Sequence, residues 1–243
     1  MISRLLTVAS AVFMDAVRRK VVWVVLLFAA VLAVAIPSLP SYGVGVVSAV
    51  FREVSLSLMY ASVIVVTLAL AANRVPAEVE RRTVYNVLAR SVRRWEYVVG
   101  TWLGILAVIG TISLLFALIA IGIGWATYGA AMWRLLEGAL GIWLEAGVLA
   151  AFCMVVSAAV GPVVVAVASL AFLFIAHART SLLVEGTLAW NLYPSLDTFN
   201  IIAPVAHGQG VTIVYLGVML LVFAAWSGVL LLVASAVFGR RDL

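Results

Sequence analysis

Hydrophobic residues in this chain come in long runs with few polar interruptions. Six runs are apolar and long enough for helices that cross a hydrocarbon core of roughly 30 Å, which takes about 20 residues. Helices are favoured in lipid because they pair all backbone polar groups internally. The predicted spans cover about residues 21–36, 54–72, 97–125, 139–160, 162–178 and 211–238. The pattern predicts an all-α integral membrane protein, with six transmembrane helices in a single transmembrane domain, residues 1–243.

Composition supports the membrane assignment and excludes several classes of chemistry. Of 243 residues, 66% are hydrophobic and 10% are charged, whereas soluble domains have about 25% charged residues. One cysteine, Cys153, allows no internal disulfide. The single lysine, Lys20, does not follow a glycine, so the chain has no P-loop for ATP. We expect no catalytic residue, metal site or cofactor on this chain and no binding to nucleic acid.

The basic residues predict the orientation in the membrane. With six spans, twelve arginines and lysines fall on the side of both termini and three fall on the other. Because basic loops stay in the cytoplasm, both termini are predicted to be cytoplasmic, in the plasma or inner membrane. The three predicted outer residues are Arg52, Arg134 and Arg179.

The loop between the second and third predicted spans has the features of a short amphipathic helix, residues 76–89. Pro76 suits the first helical position. Glu78 and Glu80 fall in the first turn, where the helix dipole favours carboxylates. Glu78 is also four residues before Arg82, a spacing that supports an ion pair. Such a helix either rests on anionic lipid headgroups or docks a cytoplasmic partner, and the residues leave both interpretations open.

The order of motifs resembles the type-two export permeases of ATP-binding-cassette (ABC) transporters. These families carry an E-x-E-x-x-T segment, followed by a basic–acidic element and a glycine that enters the third span. The matching residues here are Glu78, Glu80, Thr83, Arg90, Arg94, Glu96 and Gly100. Residues 13–28, 193–208 and 238–243 also resemble the corresponding parts of the family. Ser91 and Thr101 depart from it, since many relatives have proline and lysine there.

The resemblance implies a half-permease. Two copies, or one copy and a paralogue, would form the translocation path among membrane lipids, and two separate ABC ATPase subunits would bind ATP and magnesium. In this family the first cytoplasmic loop is the coupling helix, an N-terminal interfacial helix precedes the first span, and short extracellular helices precede the last span. The implied ATPase-coupling residues are Glu78, Glu80, Arg82, Thr83, Tyr85, Arg90, Arg94 and Glu96. The implied interfacial-helix residues are Asp15, Arg18, Arg19 and Lys20.

Other polar residues are candidates by their position. Glu145 lies about seven residues into the predicted fourth span, roughly 10 Å deep. It is either part of the translocation path or a structural residue paired with Arg134 or Arg179, since a carboxylate inside a membrane is costly. His177 and His207 fall on the predicted outer side, and their spacing does not require a metal.

Packing and interfacial roles account for the remaining candidates. Gly100 and Gly104 are spaced for close helix packing. An interfacial aromatic belt explains Trp125, Trp133, Trp143 and Trp190.

Two alternatives to the permease remain. A lipid-acting membrane enzyme is disfavoured because no predicted span carries paired acids or a histidine–acid pair. An ATP-independent channel or carrier usually places several polar groups at mid-membrane, where this sequence offers Glu145 alone.

Overall fold

Helices account for all the regular structure that is described. The computed structural model describes residues 2–18, 21–38, 44–80, 93–187, 190 and 193–240, and these contain no strand. In chain order the helices are α1 (Ile2–Arg18), α2 (Val21–Ser38), α3 (Val44–Glu80), α4 (Arg94–Tyr128), α5 (Leu135–Ser157), α6 (Pro162–His177), α7 (Arg179–Leu182), a 3-10 turn (Leu196–Phe199), α8 (Ile202–Ala206) and α9 (Ile213–Gly239).

Four of the described helices are long and apolar enough to cross a membrane. They are Val46–Ala72 within α3, and the whole of α4, α5 and α9. They correspond to the second, third, fourth and sixth predicted spans. The first and fifth predicted spans fall on α2 and α6, which have 18 and 16 residues. The described part of the chain is all-α and has four helices able to span a membrane, as an all-α membrane protein requires, whereas the count of six spans stays a prediction.

Helix α5 occupies the centre of the bundle and contacts α3, α4, α6 and α9. Glycines on α5 allow these neighbours to approach closely. A Cβ atom at Gly141 would lie 2.6 Å from the backbone oxygen of Phe199, and one at Gly147 would lie 2.7 Å from the ring of Phe223. Close backbone approach of this kind is how membrane helices gain packing energy without a hydrophobic driving force.

Two tryptophans join α4 and α5 by reciprocal hydrogen bonds. Trp102 on α4 donates its indole N–H to the oxygen of Gly147, and Trp143 on α5 donates to the oxygen of Leu106, both at 2.9 Å. Trp143 is therefore half-buried between two helices and has a packing role, which its interpretation as part of an aromatic belt did not include. Trp125 and Trp133 are 66% and 63% exposed, as an aromatic belt requires.

The N-terminal helix packs along α4 through the glycine pair. Ideal Cβ atoms at Gly100 and Gly104 would lie 2.8 Å and 2.6 Å from the Cβ atoms of Val8 and Val12 on α1. The packing role predicted for the two glycines is confirmed. Helix α1 begins at Ile2, so it is longer than the resemblance implied from residue 13 onward.

Helix α3 extends beyond the predicted span at both ends. It begins at Val44 and includes Arg52, whose side chain donates to the oxygen of Ala206 at 2.8 Å. It also continues through Pro76 to Glu80. A helix can continue through a proline with the loss of one backbone hydrogen bond, so Pro76 does not begin a separate helix here. The rest of the predicted 76–89 helix lies outside the described residues.

Candidate functional site

Glu145 on α5 is the centre of a buried polar cluster. Its side chain is 1% exposed in the middle of a largely apolar helix. A carboxylate in such surroundings needs partners, because a buried charge without them is strongly unfavourable. Two neighbouring helices supply these partners.

Tyr60 on α3 and His177 at the end of α6 both contact the same oxygen of Glu145. The Tyr60 hydroxyl donates to Oε1 at 2.7 Å, and Nε2 of His177 lies 2.8 Å from Oε1. The Tyr60 hydroxyl is also 3.1 Å from Nε2. The three groups form a closed triangle that joins three helices of the bundle.

Asp197 extends the cluster to the surface. It lies on the 3-10 turn, and its Oδ1 is 2.9 Å from Nδ1 of His177. Its side chain is 45% exposed, and that of His177 is 26% exposed. The imidazole ring is therefore held between two carboxylates, one buried and one facing outward. We call Tyr60, Glu145, His177 and Asp197 the relay cluster.

The hairpin of α5 and α6 explains why Glu145 and His177 meet. Gly161 has an extended backbone conformation and precedes Pro162 at the first position of α6. Glu145 and His177 are each 16 residues from Gly161 along the chain (161 − 145 and 177 − 161). In two antiparallel helices, residues at equal distance from the turn lie at the same level. This equality was present in the sequence and could have indicated the pair.

The relay cluster corrects one expectation from the sequence and extends another. Glu145 pairs with His177 and Tyr60, so the expected pairing with Arg134 or Arg179 is wrong. Arg179 instead places its guanidinium 4.2 Å from the ring centre of Trp190. The sequence argument considered a histidine–acid pair only within one predicted span, whereas the structure forms such pairs between elements, because Glu145 and Asp197 both contact His177.

The relay cluster can hold or move a proton, and it does not resemble a metal site. Within the described residues, no group of three histidine, cysteine, aspartate or glutamate side chains is arranged around a common point for a metal. His207 is exposed and is not a member of the cluster. The Tyr60 hydroxyl already donates to Glu145, so it is not poised as a nucleophile.

A second polar group lies where the chain re-enters the bundle at α4. Glu96 is 2% exposed; its Oε2 accepts from the backbone N–H of Arg93 at 2.8 Å and lies 4.0 Å from the guanidinium of Arg4. Arg94 donates to the oxygen of Gly239, the last residue of α9, at 2.8 Å. We call Arg4, Arg93, Arg94 and Glu96 the α4 entry cluster.

The remaining predicted coupling and interfacial residues are only partly described. Glu78 and Glu80 fall in the last turns of α3, Asp15 is half-buried on α1, and Arg18 is the last residue of α1. Arg19, Lys20, Arg82, Thr83, Tyr85 and Arg90 lie outside the described residues.

Comparison with known proteins leaves the sequence and the geometry as the basis for a function. No protein-family model matches the chain, and no curated protein has significant sequence similarity to it.

Proposed function

We propose that the protein is the membrane permease subunit of an ATP-driven ABC exporter. In this proposal it forms half of the translocation path and is coupled to a separate ATPase subunit through residues 76–89. The absence of a P-loop supports this proposal, because in such a transporter ATP and magnesium bind to the separate ATPase subunit.

The α4 entry cluster is the observation that carries this proposal. Three residues of the resembled motif each make a contact with another helix. Glu96 faces Arg4 of α1, Arg94 donates to Gly239 of α9, and Gly100 accommodates Val8 of α1. The start of α4, which follows residues 81–92 in the chain, therefore contacts both α1 and α9. A separate ATPase can drive a membrane domain only through a contact whose geometry differs between the states of the ATPase. The contact must also be rigid enough to transmit that change of geometry to the helices.

The partners follow from the same proposal. Two permease chains, identical or paralogous, would enclose the path, and two ATPase subunits would dock beneath them, with membrane lipids around the bundle. Both termini would be cytoplasmic in the plasma or inner membrane.

The relay cluster favours a second candidate, an ATP-independent carrier. Carriers place ionisable groups inside the membrane, and His177, Tyr60 and Asp197 add to Glu145 in this respect. The two candidates differ in their dependence on an ATPase.

Affinity purification from native membranes distinguishes the two candidates. The tagged chain, solubilised in mild detergent, should copurify with a protein that contains a P-loop, in an amount comparable to the chain itself. Recovery of the folded chain without any P-loop protein would contradict the permease and favour the carrier.

A further inference from the structure

The relay cluster forms a continuous path from the surface to the interior of the bundle. The side-chain exposure falls from 45% at Asp197 to 26% at His177 and to 1% at Glu145. Each step along this path is a contact of 2.9 Å or 2.8 Å between a carboxylate oxygen and a ring nitrogen. Both distances are within the range over which a proton is shared in a hydrogen bond.

Counting hydrogens shows that the relay cluster holds a proton. An ionised carboxylate only accepts hydrogen bonds, and a neutral imidazole has one N–H. Both ring nitrogens of His177 face a carboxylate oxygen, and the Tyr60 hydrogen is directed to Glu145. The two nitrogen–oxygen contacts therefore need one more proton than a neutral ring supplies. That proton is on the second ring nitrogen or on one of the carboxyl groups.

No other cation neutralises the two carboxylates within the described part of the chain. Arg52 on α3 donates to the oxygen of Ala206, Arg179 stacks on Trp190, and Arg134 lies against Gly210. The ionisable side chains that face the His177 ring are Glu145 from α5, Tyr60 from α3 and Asp197 from the 3-10 turn. With the extra proton on its second nitrogen, the ring is the local positive charge that faces both carboxylates.

We propose that Asp197, His177 and Glu145 form a proton-transfer site that connects the aqueous surface to the buried carboxyl group of Glu145. In the inward step the proton on Asp197 Oδ1 moves to Nδ1 of a His177 ring that carries hydrogen on Nε2, which gives the doubly protonated ring, and the proton on Nε2 then moves to Oε1 of Glu145. One O–H and one N–H bond break, one N–H and one O–H bond form, and the ring keeps the same number of hydrogens. Tyr60 is a positioning residue, because its hydroxyl holds Oε1 beside Nε2.

The site is independent of the ABC proposal. The proton-transfer site goes beyond the proposed function, because it assigns a proton as the ligand of a buried site in the membrane domain. Chains of acidic residues and histidine inside membrane proteins commonly serve as proton relays, and an exporter or a carrier could each contain one.

The two histidines of the chain make the test direct. His207 is outside the relay cluster, so a His207→Gln chain leaves the His177 ring as the single imidazole. With nitrogen-15 in the ring and the protein in lipid nanodiscs, magnetic resonance reports which ring nitrogens carry hydrogen. We expect both to carry hydrogen at about pH 8, well above the ordinary histidine pKa of about 6.5.

Variants of the two carboxyl groups locate the proton and its route. Glu145→Gln and Asp197→Asn should each leave one N–H on the ring at the same pH, while Glu185→Gln, an exposed acid outside the cluster, should change nothing. Asp197→Asn should also slow the exchange of the ring hydrogens with water by at least about tenfold, since it removes the outer proton acceptor. Asp197→Asn alters the exposed end of the cluster, so it keeps the test available if Glu145→Gln prevents folding.

Two results would overturn the proposal. A ring with a single N–H at about pH 8 in the His207→Gln chain would show that the ring does not hold the extra proton, which contradicts the proposed doubly protonated ring. An unchanged exchange rate in folded Asp197→Asn would show that protons do not pass through Asp197.

Discussion

At the scale of single residues, the placement of Glu145 shows how an apolar bundle accommodates a carboxylate. The side chain is buried on the central helix, and both of its contacts come from other helices. Removing one member of a buried charged group costs far more than the group contributes as a whole, because the remaining members lose their partner.

Replacing Glu145 should therefore destabilise the bundle, and leucine should destabilise it more than glutamine. Glu145→Leu leaves the half-buried Tyr60 hydroxyl and His177 ring without their shared acceptor, at a total cost of about 1–3 kcal/mol, since each keeps another partner. Glu145→Gln should cost less, because an amide oxygen still accepts from Tyr60. The measurement is the thermal unfolding midpoint in detergent, with Glu53→Leu at an exposed position as the control. Equal midpoints for Glu145→Leu and the control would contradict a structural role for the cluster.

Gly104 is the residue at which α1 depends most on the absence of a side chain. A Cβ atom there would lie 2.6 Å from Cβ of Val12 and 2.8 Å from the backbone oxygen of Ala9. Gly104→Ala should force the helices apart and cost about 1–3 kcal/mol. Gly122→Ala on the same helix is the control, since its Cβ would meet nothing within 4 Å. Protease cleavage near the N-terminus should increase in Gly104→Ala alone, and equal cleavage of both variants would count against the packing.

The sequence predicted Glu145 as a candidate and did not predict its partners. A carboxylate within an apolar run can be recognised from the sequence alone, because its neighbours along the chain are apolar. Tyr60 is 85 residues away and Asp197 is on a turn 20 residues beyond His177. Such contacts depend on which helices pack together, and a pattern along one helix does not contain that information.

At the scale of helices, the hydrophobic runs predicted the apolar parts and not the full lengths. Helix α3 runs from Val44 to Glu80, although the apolar run covered about residues 54–72. The helix passes through Arg52 because that side chain finds a backbone acceptor at Ala206. Hydropathy measures which residues suit lipid, whereas the ends of a helix depend on local hydrogen bonding. For the same reason the sequence predicted short helices between α6 and α9 but not the residues at which they begin and end.

The proposed coupling residues, 76–89, yield a prediction about ATPase docking. Reversing Glu78 and Glu80 together to lysine should weaken binding of the ATPase by at least about tenfold, equivalent to roughly 1.4 kcal/mol, because like charges across such a contact repel. Insertion into the membrane should be unchanged, since the α4 entry cluster is left intact. The measurement is ATPase copurification with each variant.

The matched control for this reversal uses two acids on the predicted outer side. Glu53→Lys together with Glu185→Lys changes the net charge equally at exposed positions and should leave ATPase binding unchanged. Wild-type binding by the Glu78/Glu80 variant would show that the segment is a lipid anchor instead.

At the scale of the whole molecule, the charge asymmetry predicts how the bundle lies in the membrane. Cysteines placed at Ser91 and at the exposed Gln209 should react with an impermeant thiol reagent from opposite sides, Ser91 from the cytoplasm. The native Cys153 is fully buried and contributes little background. Labelling of both positions from one side would contradict the predicted orientation.

The outer surface of the bundle indicates how the molecule meets its surroundings. Helix α9 exposes Ile213, Leu221 and Leu232 at 88%, 69% and 73%. Large apolar side chains at this exposure suit lipid or another membrane helix.

The mass of the intact complex tests the central claim most directly, namely that the chain is half of an ATP-driven transporter. Native mass spectrometry on the complex purified from its own membranes should give two permease chains, or one chain and a paralogue, bound to two ATPase subunits. A single permease chain with no ATPase, in a preparation that still transports its substrate, would contradict the account.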